Sequence, residues 1–424
     1  MMKSEYPIET LLGMDYYVTE TAGTGGVLKK TPSDFLVDEL YGDIKMTGGP
    51  YLICELEKTN WDLQKAVKEI SKVLGVSHRR IGWAGTKDKR AVTKQLISIY
   101  GVGEEDVENI RIKDISLKVA GHANSQISLG DLKGNGFVIT IRDIETEDPV
   151  PILEEVSSAA AAGRIPNYFG IQRFGATRPV THLTGFEILK GDFGEAVKTY
   201  ISFSCGYEPE DTEAARKHYL ETEDARETLA IMPTHLRYER AMLHHLIEEP
   251  GDFEGALKVT PPKLLSMFVS AAQSWIFNKA LSRRLETAGL DEPLVGDRIM
   301  FEGGREDIVT EDNIRTAKVH MKRGRCVPSI FMPGSEDFKP AGETDLYIAE
   351  LLEESGIDAE SFKLAAGITE TAFRGASRAA AIRADMKYEV VGDASVRLEF
   401  SLPPGTYATT LSREIMKAGP EKMI

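Results

Sequence analysis

Residues 81–95 read Ile-Gly-Trp-Ala-Gly-Thr-Lys-Asp-Lys-Arg-Ala-Val-Thr-Lys-Gln. The segment sets one carboxylate, Asp88, beside three cations, Lys87, Lys89 and Arg90. Nearby positive charge favours the charged form of an acid, so we expect Asp88 to be ionised. Because the same cations would attract phosphates, this glycine-punctuated loop is a candidate site for chemistry on a polyanion. A solvated basic turn that Asp88 neutralises is the plainer interpretation, and the loop alone favours it.

The flanks of the loop predict regular structure on both sides. A short strand over 81–84 leads into the loop, and a second strand over 95–100 leaves it. Upstream, a helix with apolar residues at 3.6-residue spacing over 63–74 delivers the chain to Arg79 and Arg80. A strand-loop-strand frame holds a side chain more firmly than a free loop does, and a reactive group requires rigid support.

The composition is that of a globular protein. A chain of 424 residues favours two or three domains over one. No apolar run reaches the roughly 20 residues of a membrane span, and the N-terminus lacks the apolar core of a signal peptide, so we expect a cytoplasmic protein without a membrane partner. Cys54, Cys205 and Cys326 are far apart and outside any C-x-x-C spacing, which predicts neither a disulfide framework nor a metal site.

The net charge of -15 argues at first against a nucleic-acid partner, since such proteins usually carry a basic surplus. The distribution of charge matters more than the sum. Acidic residues concentrate at 208–227, 248–254 and 350–360, whereas the basic stretches 78–80 and 87–94 are poor in acids. This pattern is compatible with a basic cleft in an acidic body.

Two further segments carry candidate functional residues. Residues 164–175, Arg-Ile-Pro-Asn-Tyr-Phe-Gly-Ile-Gln-Arg-Phe-Gly, follow neither a helical nor a strand period, and such local inconsistency tends to fall at functional sites. Phe169 could equally plug a domain junction. Residues 23–39 begin with glycines and end in strand-like alternation. They do not form a phosphate-binding loop of the Walker type, because the Walker spacing is absent. Lys29 is most simply a lysine at a strand edge.

The character of the sequence changes in its middle part. From about 176 to 374 it is acidic and mostly helical, which predicts an inserted domain, and its most distinctive helix, 261–284, carries Asn278 at the end of an apolar stripe. Residues 396–402 alternate again and predict a strand that completes a sheet begun before residue 175. The predicted domains are a catalytic domain over 1–175 and 375–424 and an insertion domain over 176–374.

Five motifs occur in order along nearly the whole chain. They are Gly26-Val-Leu-Lys29 with Pro32 to Glu39, Ala84 to Gln95, Pro166 to Gly175, Gln273 to Asn278 with Arg283, and Phe400 to Glu414. Together they resemble the TruD family of tRNA pseudouridine synthases, and the segment 59–64 and the long insertion resemble archaeal members. The resemblance implies an α+β pseudouridine-synthase fold with a largely antiparallel mixed sheet, interrupted by a family-specific α/β insertion domain, with tRNA bound in the cleft between the domains.

The resemblance also implies roles for single residues. Asp88 matches the catalytic aspartate of the family and Lys29 its characteristic lysine, which we expect to pair with the carboxylate and orient it. Phe169 is the expected stacking surface for a uracil that has left the RNA stack, and Asn167 is expected to position the loop or contact that nucleotide.

Other matches carry less definite roles. Asn278, Arg283 and Arg413 fall on family positions, and we expect Asn278 and Arg413 to contact the substrate. Departures from the family pattern are small. Thr86 stands at a position that varies in the family, and Ser412 stands where a hydrophobic residue is common. The expected contacts to the RNA backbone come from Arg79, Arg80, Lys87 and Lys89.

The implied reaction breaks the bond between C1' and N1 of uridine, turns the ring and joins C5 to C1'. It is an isomerisation without net redox change, so we expect no cofactor and no metal. A covalent adduct of Asp88 and a glycal-like intermediate both remain open, as does the base that removes the C5 proton. Position 13 of tRNA is the expected target, and the protein is expected to be a monomer without a protein partner.

Two alternatives use the same residues. A non-catalytic RNA-binding protein would employ the cations but gain nothing from Asp88 and Lys29 together. A GTPase, which Thr86-Lys-Asp88 suggests, would need its aspartate one residue later, where Lys89 stands, and a Walker loop that is absent.

Overall fold

The computed structural model describes residues 1–423, and the chain forms two compact units. The sheet unit comprises Thr21–Ala161 and the chain from Ile382 onward, and the helical unit comprises Met1–Glu20 and Ala162–Ala381. The domains predicted from the sequence break the chain after residues 175 and 374 instead, and the assignment of a catalytic and an insertion domain stays a prediction.

The secondary structure is mixed. The strands are β1 (Met2–Lys3), β2 (Tyr16–Tyr17), β3 (Phe35–Tyr41), β4 (Tyr51–Thr59), β5 (Ile81–Trp83), β6 (Val92–Tyr100), β7 (Ile115–Ala123), β8 (Leu132–Arg142), β9 (Ile165–Pro166), β10 (Arg298–Phe301), β11 (Glu306–Ile308), β12 (Cys326–Met332), β13 (Ala376–Ala379), β14 (Ala381–Ile382), β15 (Lys387–Val390) and β16 (Ser395–Leu402). The α-helices are α1 (Pro7–Leu11), α2 (Leu63–Val73), α3 (Glu104–Glu108), α4 (Val150–Ala162), α5 (Thr181–Lys190), α6 (Phe193–Ser202), α7 (Glu210–Thr222), α8 (Ala225–Ile231), α9 (Arg237–Glu248), α10 (Phe253–Lys258), α11 (Pro262–Thr287), α12 (Ile314–Lys322), α13 (Glu343–Ser355), α14 (Ala359–Thr369) and α15 (Ala408–Met416). Short 3-10 helices cover Pro32–Asp34, His78–Arg80, Ile171–Arg173 and Pro420–Met423.

An eight-stranded sheet forms the centre of the sheet unit. Its order is β15-β16-β8-β3-β6-β4-β7, with β5 paired to β6, and all neighbours are antiparallel except β3 and β6. The late strand β16 lies beside β8, with Leu398 opposite Ile139. The prediction that it completes a sheet begun before residue 175 is therefore confirmed, and so is the α+β class with a largely antiparallel mixed sheet.

Helix α2 packs on one face of this sheet and supports the strands around the Asp88 loop. Asp62 caps its start by accepting a hydrogen bond from the Lys65 amide at 3.0 Å. Its apolar residues follow the helical period, and Val67 and Ile70 are buried against β4 and β6 in one cluster with Ile97. Burying each such side chain contributes on the order of 1.5–3 kcal/mol, so the frame of the loop is anchored in a core.

Helix α11 lies in the main core of the helical unit. That helix is buried at many positions along its 26 residues, and it shares a core with α5, α6, α9 and α14. The unit also contains a four-stranded sheet with the order β11-β10-β12-β13. Three of these strands are three or four residues long, too short for the alternation that reveals a strand in a sequence.

Candidate active site

The Asp88 loop is held at both ends by one antiparallel pair of strands. Trp83 at the end of β5 lies opposite Ile97 of β6. From β6, the side-chain Nε2 of Gln95 donates to the Gly85 carbonyl in the loop at 3.0 Å. A glycine is required at position 82, because a Cβ there would lie 2.3 Å from the Ile127 carbonyl oxygen. The sequence thus builds a rigid support for Asp88.

The Asp88 carboxylate pairs with a buried ammonium group. Lys29 Nζ lies 2.7 Å from Asp88 Oδ1, and the Lys29 side chain is 7% exposed while that of Asp88 is 44% exposed. The same ammonium group lies 4.2 Å from the centre of the Phe35 ring. Lys29 has a left-handed backbone with φ 55°, a conformation that costs a non-glycine residue about 1–3 kcal/mol and is concentrated at functional sites. The arrangement presents an accessible carboxylate with a fixed cation behind it.

A second buried lysine fixes the backbone of the loop. Lys58 Nζ donates to the Asp88 carbonyl at 2.9 Å and to the Trp61 carbonyl at 2.7 Å. Burial lowers the pKa of Lys58 to about 8, against the opposing effect of the Asp88 charge. Sequence reasoning missed this residue, although the alternation of β4 places it on the same face as Leu56 and Cys54, which pack in the core.

Lys87 lies inside the protein. Its ammonium group pairs with the Glu39 carboxylate, and both side chains are buried. Burial raises the pKa of Glu39, and the neighbouring Lys87 opposes that rise. The expected contact of Lys87 with RNA phosphates does not fit this position, because the side chain faces the core of the loop rather than solvent. Glu39 shares its strand face with Phe35 and Val37, a pattern that could have marked it.

The other cations of this region are exposed. Arg79, Arg80, Lys89 and Arg90 lie on the surface of the sheet unit, with the Arg80 guanidinium 5.8 Å from the Tyr100 ring and Arg90 donating to the Lys30 carbonyl at 3.3 Å. All four are accessible cations that could meet phosphates, with Arg80 beside Tyr100 at the end of β6 and Arg90 just before its start at Val92. Arg413, by contrast, is buried in α15, so its expected contact with the substrate does not fit its position.

The remaining predicted residues belong to the helical unit, and Asn167 and Asn278 lie next to Phe169. Asn278 is buried, and its side chain accepts from the Phe169 amide at 2.8 Å and donates to the carbonyls of Phe169 and Leu12 at 2.9 Å. Asn167 is also buried, and it donates through Nδ2 to the Ala379 carbonyl at 2.8 Å. Both amides therefore hold protein backbone in place, a role that differs from the substrate contact expected of Asn278. Arg283 is exposed and pairs with Glu286 at 3.3 Å.

Comparison with known proteins places these motifs in one family. The family model of tRNA pseudouridine synthase D (TruD) matches residues 11–415. The chain belongs to the TruD family. By this membership it is a pseudouridine synthase, an isomerase.

Archaeal relatives match over their whole length. The chain is 39% identical to the probable tRNA pseudouridine synthase D of Methanococcoides burtonii, across 98% of each chain, and 38% identical to that of Methanosarcina acetivorans, across 100% of each. The crystal structure of a TruD protein from Methanosarcina mazei superposes with a TM-score of 0.84 at 38% identity and covers 99% of this chain and 100% of its own. The predicted TruD resemblance and its fold are thereby confirmed.

Residues 1–423 lack two kinds of feature. None of the helices in that range combines the length and the apolar character needed to cross a membrane. The same range contains no group of three histidine, cysteine or acidic side chains placed to bind a metal ion.

Proposed function

We propose that this TruD protein converts uridine to pseudouridine in tRNA and that the Asp88 carboxylate acts on the sugar or the uracil ring. One observation carries the assignment of Asp88. Its side chain is 44% exposed, pairs with the buried Lys29 at 2.7 Å, and stands on a loop held by two strands. An accessible carboxylate with a fixed partner is what nucleophilic or charge-stabilising chemistry requires.

The reaction needs the carboxylate in its charged form by either available route. In one route Asp88 attacks the ring or C1' and forms a covalent adduct, and in the other it assists loss of the base through a glycal-like intermediate. In both routes the bond between C1' and N1 breaks, the uracil turns and C5 joins C1'. The C5 proton leaves, N1 takes up a proton, and Asp88 ends as the free carboxylate. The Lys29 ammonium gives the negative charge a partner and restricts the rotation of the side chain.

The residues around Asp88 serve as its support. Lys58 holds the Asp88 carbonyl, and the pair of Lys87 and Glu39 fixes the residue that precedes it. A group positioned to within a fraction of an ångström is needed for efficient attack, so loss of either contact should lower the rate more than the affinity for RNA. We assign Lys58, Lys87 and Glu39 to positioning and Asp88 to catalysis.

The exposed cations are the proposed contacts to the tRNA backbone. Arg79, Arg80 and Lys89 are exposed on the same unit as Asp88. Lys87 is buried in its pair with Glu39, so we do not include it among the phosphate contacts. Phosphate contacts position an RNA without reading its sequence. Position 13 of tRNA as the target, a monomeric state and a cytoplasmic location remain parts of the proposal that rest on the family resemblance and the composition.

Replacement of Asp88 tests the assignment. Asp88→Ala is expected to abolish tritium release from tRNA transcripts that carry 5-tritiated uridine, while tRNA affinity in a filter-binding assay stays close to that of the wild type. Asp43→Ala is the matched control, because Asp43 is an exposed carboxylate that also pairs with a lysine, Lys133. Wild-type release by the Asp88 variant would remove Asp88 from the mechanism.

A protein that binds RNA without modifying it would give a different result. The wild-type protein would then release no tritium at any enzyme concentration, and the Asp88 substitution would change nothing. Mapping of pseudouridine by carbodiimide-dependent stops of reverse transcription on tRNA from cells with and without the gene would identify the modified position directly.

A further inference from the structure

Helix α2 carries a row of lysines on the face that it turns to solvent. Lys65, Lys68 and Lys72 are exposed, whereas Val67 and Ile70 are buried in the core. At 100° per residue the three lysines lie within about 60° of one another, directly opposite the buried pair. Successive members stand at i+3 and i+4, where Cβ atoms are about 5–6 Å apart. We call these three residues the lysine stripe.

The lysine stripe has no carboxylate partner among residues 1–423. Two exposed lysines on helices of the other unit differ in this respect. Lys217 of α7 and Lys258 of α10 each pair with a glutamate four residues away on the same helix, at 3.8 and 2.5 Å. In a chain whose 66 acidic residues outnumber its 51 basic ones, the exposed face of α2 therefore keeps its positive charge.

The start of α2 is tied to the Asp88 loop. One ammonium group, that of Lys58, donates to the Trp61 carbonyl at 2.7 Å and to the Asp88 carbonyl at 2.9 Å. Helix α2 begins two residues after Trp61, and its 11 residues extend for about 16 Å. Lys65 lies in the first turn and Lys72 in the last one, about 10 Å further along the axis. The lysine stripe therefore begins close to the loop and extends beyond it.

The chain that follows α2 carries further positive charge to the far end of strand β6. Arg79 and Arg80 are exposed, and the Arg80 guanidinium carbon lies 5.8 Å from the centre of the Tyr100 ring. Tyr100 is the last residue of β6, whereas Val92, the first, directly follows the Asp88 loop. A strand of nine residues spans about 26 Å from its first residue to its last. The exposed cations of this unit thus extend far past the space that one nucleotide at Asp88 would occupy.

We propose that the lysine stripe binds the phosphate backbone of tRNA at a distance from the uridine that is modified. This inference rests on the proposed function, since it adds a contact to the same substrate. A row of unpaired cations is complementary in charge to a polyanion that carries one charge per nucleotide. A lysine ammonium is a compact point charge, and phosphate contacts position an RNA without reading its bases. The lysine stripe therefore contributes to the affinity for tRNA more than to the rate of the chemical step.

The test compares the double variant Lys68→Gln/Lys72→Gln with the wild type and with Lys217→Gln/Lys258→Gln. The control removes the same charge from exposed helical positions, but its lysines already have carboxylate partners. Filter binding of a tRNA transcript is measured over a range of salt concentrations. In the stripe variant the dissociation constant is expected to rise about 10-fold at about 0.1 M salt, and the slope of log affinity against log salt should fall by about 2. The single-turnover rate constant for tritium release at saturating enzyme should change less than the dissociation constant.

A second variant gives a change that loss of folding cannot imitate. Glu69 follows Lys68 directly and stands four residues after Lys65, at the border of the lysine stripe. Glu69→Gln removes this carboxylate, so the affinity for tRNA should increase by about two- to threefold. Weaker binding by this variant would contradict an anionic ligand at the stripe. Glutamine and lysine have similar helix propensities, so circular dichroism should show the helix content of the wild type in every variant.

Three results with the double variants would overturn the inference. Wild-type affinity and slope in Lys68→Gln/Lys72→Gln would leave the lysine stripe to an acidic protein surface. Equal weakening in Lys217→Gln/Lys258→Gln would assign the effect to net charge, and a rate constant that falls more than the affinity would place the stripe lysines in the chemical step. Absence of tritium release by the wild-type protein would contradict the proposed function alone, because the binding measurements need no turnover.

Discussion

The two groups of residues that the motifs mark are built in opposite ways. In the sheet unit the marked residue, Asp88, is partly exposed and its supporting cation, Lys29, is buried. In the helical unit the marked residue, Phe169, is buried and the cation stacked on it, Arg378, is partly exposed. A sequence motif therefore identifies a site without telling which of its residues reaches the substrate.

The comparison extends to the residues next to the motifs. Lys58 and the pair of Glu39 and Lys87 support the Asp88 loop through charge, whereas Asn167 and Asn278 support Arg378 and Phe169 through neutral amides. Charged supports are costly to disrupt one at a time, because removal of one partner leaves the other charge buried. The two regions should therefore respond differently to substitution and to pH.

The largest effect is expected at the buried ion pair beside Asp88. Lys87→Met leaves Glu39 charged in the core and should lower the free energy of unfolding by about 3–5 kcal/mol, measured by urea denaturation. The double variant Glu39→Gln/Lys87→Met should recover part of this loss, because no unpaired charge remains. Pseudouridine formation should fall in the single variant more than tRNA binding does.

The exposed pair of Lys133 and Asp43 provides the control for this prediction. Its side chains are 62% and 88% exposed at a distance of 2.9 Å, and pairs of this kind contribute little to stability. Lys133→Met should leave the urea midpoint close to that of the wild type. Equal losses in Lys87→Met and Lys133→Met would show that burial of the first pair has no energetic consequence.

The two units also differ in how low pH affects their stability. His182 is buried between Phe174 and Trp275, and neither of its ring nitrogens has a hydrogen-bond partner within the described chain. Burial lowers its pKa to about 3. The unfolded chain binds the proton below about pH 6.5, so the free energy of unfolding should decrease as pH falls from about 6.5 towards 3, by at most about 1.4 kcal/mol per unit.

Lys58 gives the sheet unit no comparable acid sensitivity. Its pKa is lowered from 10.5 to about 8, so its burial cost is constant below pH 8 and is relieved only as pH rises towards 10.5. His182→Phe should therefore flatten the acid side of the stability curve, while His244→Phe, at an exposed position of the same unit, should not. An unchanged curve in the His182 variant would assign the acid sensitivity to other groups.

Sequence patterns predicted much of this architecture, because apolar residues recur at the period of the helix or strand that buries one face. The helix at 63–74, the strand at 396–402 and the strands flanking Asp88 are confirmed, since each buries one face against a core. The short strands of the helical unit were not predicted, because three or four residues show no alternation.

The candidate site was predictable only in part. Asp88 and Lys29 stand 59 residues apart, and a family motif was needed to bring them together, although their catalytic roles stay predictions. Lys87 shows the limit of local pattern. Its position in a basic run suggested an RNA contact, but Glu39, the partner that holds it inside, lies 48 residues away on strand β3.

The smallest effect concerns the salt dependence of tRNA binding and separates exposed from buried cations of the same region. Each phosphate contact that is lost should lower the slope of log affinity against log salt by about 1. Arg79→Ala and Lys89→Ala remove exposed cations and should each reduce the slope in this way. Lys87→Gln removes a buried cation, so the slope should stay at the wild-type value as long as the variant is folded. A reduced slope for Lys87→Gln would mean that the loop opens on the RNA and releases Lys87 from Glu39. An affinity of the wild type that does not change with salt would contradict the basic surface itself.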